Sequence, residues 1–126
     1  MNEVIYTYTI DQATEDGVLL DLRKVNPAWE RGIFSHVTSN LLSKGYFNDL
    51  SAPRAARQAG DQTLNLPNLL DLLNQSLEIV RRESKNFTVA DRFFSGEIEL
   101  PSGRKQEVFI VFNEISKWTI MIPSDY

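Results

Sequence analysis

The sequence predicts an α+β domain: a C-terminal three-strand antiparallel meander packed against a long amphipathic helix, preceded by short strands and helices. Three observations carry this. Leucines recur every three or four residues after Pro67, the period of one helix face. Three alternating segments fill residues 92–122, separated by short turns. Helical and strand patterns are segregated along the chain, the α+β arrangement.

Taken in order, residues 4–8 alternate like a strand, with Tyr6 and Tyr8 on one face as half-buried amphipathic residues. Thr9 and Gln12 form a capping-box pattern opening a short helix that stops at Gly17. Residues 18–22 read as a second short strand. Residues 27–31 open a helical turn that Gly32 ends, and residues 38–44 read as a helix capped by Thr38 or Ser39 and stopped by Gly45. Residues 48–63 hold Asp49, Ser51, Pro53, Gly60 and Asp61 and read as a flexible loop. The helix over 67–84 follows, with Leu66, Leu69, Leu70, Leu73, Leu77 and Val80 as its apolar stripe and Leu72 and Ile79 widening it. Asp71, Asn74, Gln75, Glu78 and Arg82 lie opposite, Glu78 and Arg82 at a favourable i,i+4 spacing.

The meander has a testable register. Strand 92–100 turns through Pro101, Ser102 and Gly103 into strand 104–113, and a second short turn leads to strand 117–122. If Leu100 faces Arg104 and Asn113 faces Lys117, one sheet face collects Phe94, Ile98, Leu100, Val108, Ile110, Phe112, Trp118, Ile120 and Ile122. A slip of one residue would scatter them to both faces. The other face carries Phe93, Phe109, Val111 and Met121 beside Glu97, Glu99, Lys105 and Glu107. One account covers the apolar half with N-terminal elements and leaves the acids in water; the other takes apolar residues rimmed by charge as an interaction surface, with Phe93, Phe109, Met121, Glu97, Glu99 and Glu107 as the candidate partner-binding residues.

Composition narrows the chemistry. With 126 residues, 42% hydrophobic and 24% charged, the chain fits one domain over residues 1–126. The absence of cysteine excludes disulfides, thiol catalysis and cysteine–zinc sites, and a single histidine leaves little room for histidine–metal chemistry. No metal or cofactor is expected. A net charge of −4, spread without strong blocks, argues against direct nucleic-acid binding. No apolar run approaches the ~18 residues of a membrane span, and the N-terminal segment lacks a signal-peptide pattern, so a cytoplasmic protein is expected.

Motifs with chemical potential have simpler readings. His36, between Ser35 and Thr38, suggests a base beside a hydroxyl, but its place near a helix start favours an exposed or capping residue. Asp16 and Gly17 terminate a helix and lack calcium-loop spacing. Ala59, Gly60 and Asp61 lack the lysine of a phosphate loop. Arg81, Arg82 and Lys85 oppose the negative end of a helix dipole.

The opening Ile5-Tyr6-Thr7-Tyr8-Thr9 with Ala13, Asp16, Gly17, Val18 and Leu19, and the ending Leu100-Pro101-Ser102-Gly103-Arg104 and Thr119 to Tyr126, are the residues of a further likeness. They resemble a family of uncharacterised small proteins from bacterial plasmids, phages and integrated mobile elements. The resemblance covers about half the chain. The middle departs from it, at Ser35-His36-Val37 and at Leu41-Leu42. It implies a mobile-element setting, brings no catalytic residues, and suggests a protein that modulates a host defence or nucleic-acid-processing enzyme. The expected function is therefore non-enzymatic binding of a host protein. Two alternatives stand beside it: a small hydrolase using carboxylates around His36, and an accessory protein that self-assembles, as a homodimer for example.

Overall fold

Helix α1 (Ile10–Glu15) ends as its sequence predicts. Gly17 adopts φ +80°, its N–H bonds Thr14 O at 3.1 Å, and Val18 N–H bonds Ala13 O at 2.9 Å. This pair of bonds closes a helix through a left-handed residue, where glycine avoids the Cβ clash. The computed structural model describes residues 10–47, 64–84 and 93–126. The expected loop over 48–63 and the strand over 4–8, with Tyr6 and Tyr8, lie outside the described residues.

Strand β1 (Leu19–Asp21) leads directly into the short helix α2 (Leu22–Val25), because Asp21 caps it by accepting from Arg23 N–H. Asn26 caps the 3-10 turn Pro27–Arg31 in the same way through Ala28 N–H. Strand β2 (Phe34–Thr38) was not expected. All five of its residues are buried, so Ser35, His36 and Thr38 interrupt the hydrophobic alternation that marks a half-buried strand. Thr38 then caps α3 (Ser39–Leu42), accepting from Leu41 N–H.

Helix α4 (Leu66–Glu83) is capped by Asn65, with Pro67 in its first turn. Its buried residues are Leu69, Leu72, Ser76 and Ile79. The expected stripe is thus rotated. Leu66 and Leu70 are 47% and 45% exposed, while Leu73, Leu77 and Val80 flank the core. The reason lies in the facing strand. A Cβ on Gly96 would stand 2.8 Å from Ile79 Cδ1, so glycine lets the helix approach through the face that carries small Ser76. A serine in that face hides it from a hydrophobicity count. Glu78 pairs with Arg81 at 3.3 Å instead of with Arg82, which turns to Glu83.

The C-terminal strands are β3 (Phe93–Glu99), β4 (Lys105–Phe112) and β5 (Trp118–Met121). Their register is the expected one: Phe94 faces Ile110, Glu97 faces Glu107, Ile110 faces Ile120 and Phe112 faces Trp118. The meander is part of a larger mixed sheet in the order β1-β2-β5-β4-β3. Strand β2 runs parallel to β5 and antiparallel to β1. The helix side of the sheet buries Val37, Phe94, Ile98, Val108, Ile110 and Ile120 against Leu69, Leu72 and Ile79. The α+β class holds, with β2 joining the two halves of the chain.

Candidate functional site

On the side of the sheet away from α4, the strand registers line residues up in rows. One row runs Phe93, Val111, Thr119, His36, Asp21 across all five strands. The next holds Ser95, Phe109 and Met121, then come Glu97 opposite Glu107 and Glu99 opposite Lys105. Because side chains alternate along each strand, these rows share one face. The face grades from acidic at the β3–β4 turn, through aromatic, to polar at β1.

The structure brings together Phe93, Phe109 and Met121, all half-buried. The Phe93 and Phe109 ring centroids lie 4.7 Å apart, edge to face. Tyr126, following the 3-10 turn Pro123–Asp125, sets its ring edge-on to both, at 5.4 and 5.6 Å. Such contacts contribute about 0.5–1.5 kcal/mol beyond area burial. Tyr126 itself is 60% exposed, so the trio is covered on one side only. The sequence reading missed this third ring; the proline after β5 was its one signal.

Glu97, Glu99 and Glu107 are exposed at the acidic end. Among the described residues neither Glu97 nor Glu107 has a cationic partner, and Lys105 stands opposite Glu99 without closing an ion pair. Asp16 and Gly17 sit elsewhere, at the end of α1, where they serve the helix stop.

The polar end is buried. His36 is 1% exposed and sits in β2, which corrects its reading as an exposed or capping residue. A register shift between Phe34 and His36 inserts Ser35 as an extra residue, and a bulge of this kind re-aims side chains. Ser35 Oγ lies 2.7 Å from His36 Nδ1, and Asn113 Nδ2 donates to Ser35 Oγ at 2.9 Å and to Thr119 Oγ1 at 3.0 Å. On the other side His36 Nε2 stands 3.9 Å from Asp21 Oδ2. Asp21 also takes both Nε and a terminal nitrogen of Arg23 at 3.0 Å. Burial pushes the Asp21 carboxyl up, but the Arg23 side chain, its backbone N–H and the charges of Arg23 and His36 outweigh it. The net pKa is lowered below the ordinary carboxylate value.

This Asp–His–Ser set has the residue types of a nucleophilic triad, yet its hydroxyl is 0% exposed and Asp21 is beyond hydrogen-bond range of the imidazole. What the arrangement does physically is satisfy buried polar groups on a central strand. Among the described residues no group of three or more His, Asp or Glu can hold a metal ion, and no helix is long and apolar enough to cross a membrane.

A second concavity lies on the α4 side. Leu22, Trp29, Ile33, Phe34, Leu73 and Leu77 line an apolar cleft of about 330 Å³. Asn74 is the single polar side chain among its described lining residues, so the cleft can accept apolar groups and offers no acid–base pair. Compared with family models, curated proteins and solved structures, the chain matches none.

Proposed function

We propose that this chain is a non-enzymatic binding protein of a bacterial mobile element, and that the face bearing Phe93, Phe109, Met121, Glu97 and Glu107 receives a host protein, such as a defence or nucleic-acid-processing enzyme. One observation carries the binding reading: Glu97 and Glu107 are directly opposed, exposed and, among the described residues, without a cation, next to a partly exposed aromatic trio. Opposed like charges cost up to several tenths of a kcal/mol in a sheet, so a lysine at either place would favour the monomer. A basic partner surface gives the pair a use, speeding encounter and making it salt-sensitive. The mobile-element setting rests on the sequence resemblance alone.

Glu107→Lys is the test. It should stabilise the folded chain by a few tenths of a kcal/mol in a denaturant titration. It should also weaken recovery of the partner in crosslinked pull-downs, while wild-type recovery fades as salt rises. Unchanged recovery removes this face as the site.

A further inference from the structure

Strand β3 is the last strand of the sheet among the described residues, and its outer edge is handled unevenly. Leu100 N–H bonds inward to Arg104 O at 2.8 Å. By strand alternation the even-numbered residues of β3 therefore bond β4, and the N–H and C=O groups of Phe93, Ser95, Glu97 and Glu99 point outward. Glu99 is closed off. Its N–H donates to Gln75 Oε1 at 2.8 Å, and its C=O accepts from Gln75 Nε2 at 3.0 Å, an amide of α4 standing in for a neighbouring strand. Asp71 holds that amide in place through a 2.7 Å bond. Among the described residues Ser95 and Glu97 have no such cover, and both are exposed.

We propose that the open edge over Phe93 to Glu97 captures an extended, basic segment of a partner protein by antiparallel strand addition. This rests on the binding reading above and specifies how that face is used. Added strands gain affinity from main-chain bonds and specificity from alternate side chains. Here the alternate side chains of the newcomer continue the rows of the exposed face. The residue opposite Glu97 extends the Glu97–Glu107 row, facing the Glu97 carboxylate with Glu107 one strand further in, so it is lysine or arginine. Two residues on, the position opposite Ser95 is small or polar. Two further on, the position opposite Phe93 is apolar and abuts the aromatic trio. The motif read by the edge is Lys/Arg-x-Ser/Thr-x-apolar.

Charge selects against a second copy of this chain in the same place. A two-fold pairing centred on Ser95 sets each Glu97 against the other copy's Phe93, and each copy carries a net charge of −4. Acidic side chains on an edge oppose self-pairing while leaving the backbone available to a basic strand.

The probe is a short synthetic peptide with the alternation Lys-x-Thr-x-Phe, titrated into the full chain by fluorescence anisotropy and followed by amide shifts. The expected result is saturable binding with the largest shifts at Ser95 and Glu97. Replacing the peptide lysine by glutamate should weaken binding about tenfold or more. Ser95→Pro removes an outward N–H that β4 does not use, a place where an edge strand tolerates proline, and should abolish binding while circular dichroism stays native. A peptide N-methylated at its pairing amides makes the same test without altering the protein, and it should not bind.

The strand proposal falls if the N-methylated peptide or a natively folded Ser95→Pro variant binds like its parent. It falls too if light scattering finds a dimer that Ser95→Pro dissociates, since the edge then serves self-pairing. Partner capture that Glu107→Lys weakens and Ser95→Pro leaves intact overturns the strand mode but keeps the face. Capture indifferent to both overturns the face as well.

Discussion

Two residues sit in environments that work against them. Tyr46 is fully buried in the core, and among the described residues its hydroxyl has no hydrogen-bond partner. Burial, with the charge of Asp71 adding to it, pushes the phenol up to about 12. In the unfolded chain it ionises near pH 10. Between about pH 10 and 12 the unfolded state therefore releases a proton that the folded state keeps, and stability falls as pH rises. Tyr46→Phe should gain about 1 kcal/mol at neutral pH by removing the unpaired group. It should also flatten the alkaline limb of the stability profile, read by urea midpoints across pH. Ser116 is the other case. It holds φ +63°, the one positive value outside glycine among the described residues, in the turn between β4 and β5. Asn113 keeps it there by accepting from the Ile115 and Lys117 N–H groups at 3.2 and 3.0 Å. Ser116→Gly should raise stability by roughly 0.5–1 kcal/mol, since the left-handed region costs an L-residue about that much or more. A lower thermal midpoint would contradict it.

At the scale of elements, the rotation of α4 makes a sharp comparison. Leu72→Ala removes a fully buried side chain facing the sheet and should cost about 2–5 kcal/mol. Leu73→Ala truncates a half-buried wall of the apolar cleft and should cost clearly less, measured by the same denaturant titration. Equal losses would contradict the helix orientation described above. The start of α2 responds to acid. The lowered pKa of Asp21 means its stabilisation is complete above the unfolded value near 4 and is lost as pH falls through the folded one. Asp21→Asn keeps a capping residue but loses the charge held by Arg23, which should cost roughly 1–2 kcal/mol at neutral pH. It should leave a flatter profile below about pH 4. These elements differ in how plainly they were written. The β3–β4–β5 register was legible because one face is apolar and the other is not, so period two admits a single alignment. The helix stop at Gly17 and the cap at Thr38 were legible because local hydrogen bonds make them. The buried face of α4 was not, since it depends on the missing Cβ of Gly96 in a distant strand.

For the whole molecule the decisive element is β2. Its polar residues are buried because Asn113 and Thr119 from the far end of the chain meet them, a circumstance no local window contains. The candidate face was legible to the extent that it follows from register: Phe93, Phe109, Met121 and the acids share it. Tyr126 and the open edge of β3 depend on tertiary placement and were not. Lys117 adds a further tie across the sequence, its Nζ donating to Glu30 O and Gly32 O at 2.7 Å each. The insertion of β5 between β2 and β4 has a consequence for how the molecule is made. Both inner strands wait for the one that is synthesised after them. Until β5 has left the ribosome, the β1–β2 and β3–β4 pairs are separate, each with the backbone groups of its inner edge unpaired. Pairing over so long a loop is slow, and an exposed edge in a half-made sheet attracts other strands. During that interval a neighbouring nascent chain can supply the missing β5, and the product is an exchanged dimer built from native contacts.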